Sequence, residues 1–166
     1  VMEHVEGEIL KTLKCKYTFY KRFVDDILVC IPKNMCIYVL EHFNAYYPRI
    51  QFTLEIENNN TINFLDLTID HIAGGVIRTK WYQKATSSGR YLNYFSSVPH
   101  QWKLNVINNL FQRAIKLTDA CYRHETESKV CDLLTKNGYP TNLIEKIWRK
   151  CKYICKNGKH EKTKFD

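Results

Sequence analysis

The first apolar pattern in the chain has helical spacing. Val5, Ile9 and Leu13 recur every four residues, which predicts a helix over Glu3–Lys14 with one apolar stripe. No N-cap residue precedes this stretch, so we expect the chain to begin inside an element, as a fragment of a longer protein would.

A hairpin and a second helix are predicted next. Tyr17–Phe23 and Ile27–Ile31 are rich in residues that favour strands, and Val24-Asp25-Asp26 separates them. Asn34 is a candidate cap for a helix over Met35–Tyr47, which Pro48 would end.

The next pattern has a period of two. Apolar and polar residues alternate strictly over Ile50–Ile56, which predicts a strand with one buried face. Asn58-Asn59-Asn60 suits a tight turn, Thr61–Ile72 would return as a second strand, and Val76–Tyr82 would form a third. The first half is therefore predicted to be α+β, a small antiparallel sheet with packed helices.

The second half has helical periodicity throughout. Ser97, with Pro99 just after it, is the predicted start of a helix that keeps an apolar face to about Ala120. A further helix is predicted over Thr126–Lys136, closed by Asn137-Gly138. The last helix is predicted over Asn142–Cys155, where Asn142 and Glu145 have the spacing of a capping box.

Charge separates the two halves more sharply than composition does. Of the formal net charge of +8, residues 1–75 contribute 7 Lys and Arg against 10 Asp and Glu, and residues 76–166 contribute 18 against 7. Such asymmetry favours a polyanionic partner for the second half, most often nucleic acid. An ordinary solvated basic surface explains the charge equally well on this observation alone.

Other classes of protein are disfavoured. The apolar runs are too short to span a bilayer, and no basic amphipathic helix stands out, so no membrane partner is expected. The seven scattered cysteines are not the pattern of a secreted disulfide scaffold. We therefore expect an intracellular protein with reduced thiols.

The adjacent carboxylates of Asp25 and Asp26 are the clearest candidates for chemistry. A two-residue hairpin turn usually carries glycine or asparagine, and neither is present. Side-by-side negative charges repel unless a cation lies between them, so a Mg²⁺ role would explain the pair. An ordinary acidic turn is the alternative, and for an isolated Asp-Asp pair it is the commoner case.

The neighbours of this pair resemble a known family. Tyr20–Leu28 resembles the aromatic-x-Asp-Asp palm motif of reverse transcriptases. Four further segments follow the order found in the reverse transcriptases of Penelope-like retroelements: Met2–Glu6, Asn63–Asp66, Trp81–Thr86 and Ser97–His100 with Lys103. The similarity extends from about Met2 to Cys155.

This resemblance implies an architecture and a domain division. Residues 1–82 would be the C-terminal part of the polymerase palm, with a small palm-type sheet. Residues 83–155 would be a helical, helix-turn-helix-like thumb, and residues 156–166 a polar tail that we expect to be frayed.

The same resemblance implies a polymerase role and a location. Asp25 would be a direct Mg²⁺ ligand and Asp26 its less strictly required neighbour, in a two-metal site completed by residues absent from this chain. The third carboxylate and the nucleotide-binding fingers would precede Val1, so we expect the chain alone not to polymerise DNA. The partners would be an RNA template with a DNA primer, and dNTP only in the full-length protein, with a nuclear location.

Nucleic-acid contact is assigned to a group of basic and aromatic residues around the palm–thumb junction. Lysine and arginine neutralise phosphates, and aromatic faces pack against sugars or bases. For any single member, a place in the core or on a solvated rim is the commoner alternative. The predicted contacts are Arg78, Lys80, Tyr82, Lys84, Arg90, Lys103 and Arg113.

Two further patterns leave alternatives open. Cys151-x₃-Cys155 with His160 hints at zinc, but the spacing is not C-x₂-C and no fourth ligand is evident, so the site stays unassigned. The last two predicted helices resemble a helix-turn-helix. The alternative to a polymerase fragment is therefore a domesticated or decayed element product, a basic helix-turn-helix-like nucleic-acid-binding module without catalysis.

Overall fold

The computed structural model describes residues 2–157, which fold as a mixed α+β chain with five α-helices and two small antiparallel sheets. The chain divides into two compact units, Val1–Leu65 and Asp66–Asp166. The α+β class predicted from the sequence is confirmed. The division between palm and thumb at Tyr82 stays a prediction, and the predicted polar tail lies, beyond Asn157, outside the described residues.

The first unit packs two helices with a hairpin. Its elements are α1 (Met2–Thr12), β1 (Phe19–Phe23), β2 (Asp26–Cys30), α2 (Cys36–Tyr46) and β3 (Thr61–Phe64). The helical spacing of α1 buries Val5 and Ile9 against Val39 and Phe43 of α2. Apolar residues of the hairpin and of the segment after α2 pack on this small core, among them Tyr20, Ile27, Ile50 and Phe52.

The strand predicted over Ile50–Ile56 is wrong. The side chain of Asn44 on α2 forms both hydrogen bonds of the Phe52 backbone: its Oδ1 accepts from the Phe52 N–H at 2.6 Å, and its Nδ2 donates to the Phe52 carbonyl at 3.1 Å. A backbone satisfied in this way has no need of a neighbouring strand. The alternation still places Phe52 against the core, while Leu54 and Ile56 are exposed.

Two turn predictions in the first unit had different outcomes. Asn59 and Asn60 both take positive φ angles, 49° and 61°, between the mutually bonded Asn58 and Thr61, so the predicted asparagine turn is confirmed. Asn34 does not cap α2. It lies inside a short 3-10 turn over Lys33–Met35 that leads into the helix.

The strand predicted over Thr61–Ile72 is interrupted. The structure has β3 and then β4 (Leu67–Ile72), separated by Leu65, with φ 53°, and Asp66. A leucine in the left-handed region gives no signal of a turn in the sequence, because glycine or asparagine usually occupies such a position.

The second unit packs three helices with a hairpin. It contains β4, β5 (Val76–Trp81), α3 (His100–Leu117), α4 (Arg123–Lys136) and α5 (Thr141–Asn157). β4 and β5 are antiparallel, with Asp70 opposite Arg78. The apolar stripes of the helices meet in one core, whose fully buried members include Ile107, Phe111, Val130, Leu134 and Ile144.

Residues after α3 hold β5 against the helices. The Thr118 Oγ1 accepts a hydrogen bond from the Trp81 N–H at 3.0 Å, and an Asp119 carboxylate oxygen accepts from the Thr79 N–H at 2.6 Å. The Asp119 N–H returns a bond to the Thr79 carbonyl at 2.9 Å. This edge of β5 is thereby satisfied, and Trp81 is buried in the core as a structural residue.

All three predicted helix starts in this unit move by a few residues, and α4 begins at Arg123 instead of Thr126. α3 begins at His100 after Pro99, so Ser97 is not its cap, and the helix ends at Leu117. α5 begins at Thr141, which places Asn142 inside the first turn. The Asn142 side chain accepts from the Leu143 N–H at 2.8 Å, so the predicted capping box does not form.

None of the five helices in residues 2–157 combines the length and the apolar composition that a membrane-spanning helix requires.

Candidate functional site

Helices α4 and α5 are joined by a tight turn over Asn137-Gly138-Tyr139-Pro140. Gly138 has φ 83°, its N–H donates to the Thr135 carbonyl, and the Tyr139 N–H donates to the Leu134 carbonyl. These bonds satisfy the carbonyls at the end of α4 in the way of a glycine-terminated helix. The sequence prediction of a helix closed by Asn137-Gly138 is confirmed.

Asn137 ties this turn to the loop before α3. Its Oδ1 accepts from the Tyr91 N–H at 2.9 Å, and its Nδ2 donates to the carbonyls of Gly89 at 2.9 Å and Leu133 at 2.7 Å. The Asn137 carbonyl also accepts from the Tyr94 N–H at 3.0 Å. A buried amide with all these partners fixes where α4 ends and where α5 starts.

The inner face of α5 anchors it on the other two helices. Ile144, Ile147, Trp148 and Cys151 are buried, and the Trp148 ring lies 4.5 Å from the Phe111 ring of α3. Burial also raises the pKa of the Cys151 thiol above its ordinary value, so this side chain packs in the core as an uncharged thiol.

The outer face of α5 is cationic. Five exposed residues recur at spacings of three and four, which places them in an arc of about 100° opposite the buried stripe. We call this surface the α5 basic face; it consists of Asn142, Lys146, Arg149, Lys150 and Tyr153.

The cations of the α5 basic face are largely uncommitted. Within residues 2–157, Lys146 and Lys150 form no ion pair, and Arg149 pairs only with Glu145, at 3.3 Å between side chains that are 81% and 59% exposed. An exposed pair of this kind contributes about 0.5 kcal/mol, so it releases its arginine readily. Lys152 differs, because it pairs with Glu127 and lies over the Trp148 ring.

The match to a known family falls on this part of the chain. Residues 90–149 match the family described as the animal helix-turn-helix domain. The match covers roughly a third of the chain and includes α3, α4, the turn and about the first half of α5. No curated protein and no solved structure matches the chain.

Three of the predicted nucleic-acid contacts have partners within the second unit. Lys80 lies 4.0 Å from the Glu125 carboxylate and 5.1 Å from the Tyr122 ring. Lys103 donates to the Ser96 carbonyl at 2.7 Å, over the Tyr94 ring, and Arg113 pairs with Asp66. These side chains thus have contacts within their own unit. The pairing also gives Asp66 a structural role.

The remaining predicted contacts are divided between β5 and the loop after it. Arg78 is exposed on β5, and Tyr82 is half-buried. Lys84 and Arg90 are exposed on the loop that faces the end of α4. Of the seven predicted residues, the structure brings Lys84 and Arg90 together at one concavity. The residues of the α5 basic face are not among the predicted contacts. The signal that could have found them is the recurrence of polar and basic residues every three or four positions in α5.

Asp25 and Asp26 lie where the sequence predicted, at the tip of the β1–β2 hairpin. Phe23 pairs with Asp26, so the turn consists of Val24 and Asp25, and both carboxylates are exposed. Val24 takes φ 58°, a conformation that β-branched residues rarely adopt. Its cost is of order 1–3 kcal/mol and must be offset by the surrounding contacts.

A network from α1 supports this strained turn. The Glu6 carboxylate accepts from the Arg22 guanidinium at 2.6 and 3.2 Å and from the Tyr20 hydroxyl at 3.0 Å. Arg22 also donates to the Val24 carbonyl at 2.9 Å. The Arg22 hydrogen bond holds the pKa of Glu6 below its ordinary value, and burial with the Glu6 bond raises the pKa of Tyr20 well above its own.

This network predicts a pH-dependent stability. Because the pKa of folded Glu6 is lowered, its contribution is complete above the ordinary pKa of 4.5 and is lost as the pH falls through the folded value. Glu6→Gln should destabilise the first unit by about 2 kcal/mol at neutral pH and by less in acid. Urea unfolding at both pH values measures this. Exposed Glu41→Gln is the control, and equal losses from both variants would contradict the assignment.

The fit of the hairpin to a metal is partial. Within residues 2–157 no group of three or more His, Cys, Asp or Glu side chains could hold a metal ion. Asp25 and Asp26 would therefore supply two carboxylates at most, which suits Mg²⁺ only where phosphate or water oxygens complete its coordination. The zinc pattern gains no support, since Cys151 is buried and His160 lies outside the described residues.

Proposed function

We propose that the second unit is a helix-turn-helix-like nucleic-acid-binding module, and that the α5 basic face is its contact surface. The observation that carries this proposal is the placement of Lys146, Arg149 and Lys150 together on the solvent side of the second helix. The second helix of a helix-turn-helix is the one that enters a nucleic-acid groove.

The chemistry of the face fits a phosphate backbone. Three cations at spacings of three and four residues lie at the separation of adjacent turns of one helix, so they can neutralise several phosphates at once. Tyr153 adds an aromatic ring that is 69% exposed, with a hydroxyl that can donate to phosphate. Asn142, at the start of α5, is the member suited to a base edge.

We infer a duplex partner that is read mainly through its backbone. Most side chains of the α5 basic face are phosphate-type ligands, and these position a protein on a duplex without specifying sequence. The net charge of residues 76–166 supports the same view, because so strong a positive balance opposes compaction and is offset when a polyanion binds.

The experiment is a fluorescence-anisotropy titration of the chain against several unrelated DNA and RNA–DNA duplexes at two salt concentrations. Binding should differ little between sequences, and the logarithm of the affinity should fall steeply with the logarithm of the salt concentration. Absence of binding at low salt would refute the proposal. Binding that ignores salt would refute the role given to the cations.

A second candidate function belongs to the first unit and rests on the Val24–Asp26 turn. We propose that this hairpin is a palm-type metal hairpin of a reverse transcriptase, with Asp25 and Asp26 as Mg²⁺ ligands. The strained Val24, supported through Arg22 by Glu6, favours this, because backbone strain held in place by a dedicated network is concentrated at functional sites.

Paramagnetic Mn²⁺ tests this candidate without an assay of polymerisation. Mn²⁺ in place of Mg²⁺ should broaden the NMR signals of Val24 to Ile27 selectively, and Asp25→Asn should abolish the effect while Glu41→Gln leaves it unchanged. Broadening that is spread over all surface carboxylates, or that survives Asp25→Asn, would contradict a metal site in the hairpin.

A further inference from the structure

A concavity lies between the loop after β5 and the C-terminal end of α4. Its volume is about 410 Å³, and no carboxylate is among the described residues that line it. Three cations surround it: Lys84 and Arg90 from the loop, and Lys136 from the last turn of α4. Ser87 and Ser88 of the loop also line it. We call this the loop–α4 pocket.

The three cations of the loop–α4 pocket have no competing partners. In the described part of the chain, none of Lys84, Arg90 and Lys136 forms an ion pair, and all three are exposed. Lys80, Lys103 and Arg113, by contrast, are held by neighbouring groups. Like charges that converge without a counter-ion raise the local potential, and an anion lowers it.

The two serines have hydroxyl protons to donate. The Ser87 Oγ accepts from the Gln83 side-chain amide at 2.9 Å and from the Gly89 N–H at 3.4 Å. The Ser88 Oγ accepts from the Arg90 N–H at 3.3 Å. A hydroxyl offers two acceptor sites and one donor, so these bonds fix the oxygens and leave both O–H groups available.

The loop is held firmly against α4. The Asn137 amide donates to the Gly89 carbonyl, and Gly89, with φ 63°, approaches Leu133 so closely that a Cβ would lie 3.1 Å from its side chain. The Ser87 N–H bonds to the Lys84 carbonyl at 2.9 Å, which closes a turn that brings these two residues together. The loop backbone is thus preorganised, which reduces the cost of ordering this part of the pocket on binding.

The end of α4 does not repel an anion strongly. The C-terminus of a helix carries partial negative charge on its free carbonyls. Here the carbonyls of Leu133, Leu134 and Thr135 accept hydrogen bonds from Asn137, Gly138 and Tyr139, so they are already satisfied.

We propose that the loop–α4 pocket binds a phosphate oxyanion. Three cations and two hydroxyl donors match the charge and the several acceptor oxygens of a phosphate group. The site is separate from the α5 basic face. If the bound phosphate belongs to a nucleic-acid backbone, the pocket rests on the proposed function and gives the module a second point of contact with the duplex. If the bound phosphate is a free ion, the pocket does not depend on that function.

The test is a titration of the ¹⁵N-labelled chain with inorganic phosphate, followed by NMR, with chloride at matched ionic strength as the reference. The amide signals of Ser87, Ser88, Gly89 and Arg90 should shift saturably with phosphate and not with chloride. The variant Arg90→Gln with Lys136→Gln should weaken phosphate binding at least about tenfold. Exposed Arg123→Gln removes a charge from the other end of α4 and should leave the binding unchanged.

A parallel titration with a duplex distinguishes the two sources of phosphate. Backbone phosphate is indicated if the duplex moves the same four amides and inorganic phosphate competes; free phosphate is indicated if only the inorganic ion moves them. The pocket is refuted if neither ligand moves these amides, or if the double variant binds inorganic phosphate as well as the unchanged protein does. Phosphate binding without any duplex binding would leave the pocket standing and refute the proposed function.

Discussion

Replacing Lys146, Arg149 and Lys150 together with glutamine should weaken duplex binding on the order of 100-fold at about 0.15 M salt. Each phosphate contact contributes about 0.9 to the slope of log affinity against log salt, so loss of three contacts should flatten that slope by nearly three units. The loss should be the same for every duplex sequence, since these side chains contact the backbone. Anisotropy titrations at several salt concentrations measure both quantities.

A matched control separates local contact from net charge. Lys14, Lys16 and Lys33 are exposed lysines of the first unit, and their replacement by glutamine lowers the net charge by the same amount. We expect this control to change affinity far less and to leave the salt slope nearly unaltered. If both triple variants weaken binding equally, the α5 basic face is not the contact surface and only the overall charge attracts the duplex.

Asn137→Ala should destabilise the second unit by about 3 kcal/mol. The substitution removes the acceptor of the Tyr91 N–H and the donor to the Gly89 carbonyl, and both groups lie in partly buried backbone. A buried polar group without a partner costs about 1–3 kcal/mol, and two are created here. Urea unfolding at neutral pH, followed by tryptophan fluorescence of Trp81 and Trp148, measures the change.

An asparagine on the surface of the same unit provides the comparison. Asn109 is exposed on α3, and Asn109→Ala should leave stability within about 0.5 kcal/mol, or raise it slightly, because alanine favours helix. A loss of less than about 1 kcal/mol from Asn137→Ala would mean that water or a shifted loop replaces the hydrogen bonds of the Asn137 side chain.

The helices of the second unit could be predicted from the sequence because they are long and strongly periodic. Their apolar stripes repeat over several turns, so α3, α4 and α5 appear within a few residues of their observed bounds. Their starts were less predictable. Asn142 has the spacing of a capping residue, but its side chain bonds to the Leu143 N–H inside the first turn.

The main failure in the fold has a tertiary cause. Ile50–Ile56 has the clearest alternation in the chain, yet it forms no strand, and at its centre the Phe52 backbone bonds to the Asn44 side chain of a neighbouring helix. A pattern of apolar residues reports which side of a segment is buried. It does not report which groups accept the hydrogen bonds of the backbone.

The cationic character of the candidate site could be predicted from the sequence, but the residues that form it were harder to predict. The charge asymmetry indicates the second half, but Lys103 and Arg113 have partners, Ser96 and Asp66, that only the fold brings to them. The α5 basic face needed only helical spacing to be found. The prediction from the sequence does not include it, because that prediction selects basic residues that lie near aromatic ones. The resemblance to reverse transcriptases extends from about Met2 to Cys155, through both units, and it stays a prediction.

The most direct test of the central proposal is a map of the surface that a duplex contacts. NMR signals of the ¹⁵N-labelled chain should be followed while a duplex of arbitrary sequence is added at low salt. We predict that the largest shifts fall on the exposed positions of α5, at Lys146, Arg149, Lys150 and Tyr153, while the buried stripe and α1 change little. Shifts confined to the first unit, or no shifts on α5 while the duplex is bound, would contradict the account.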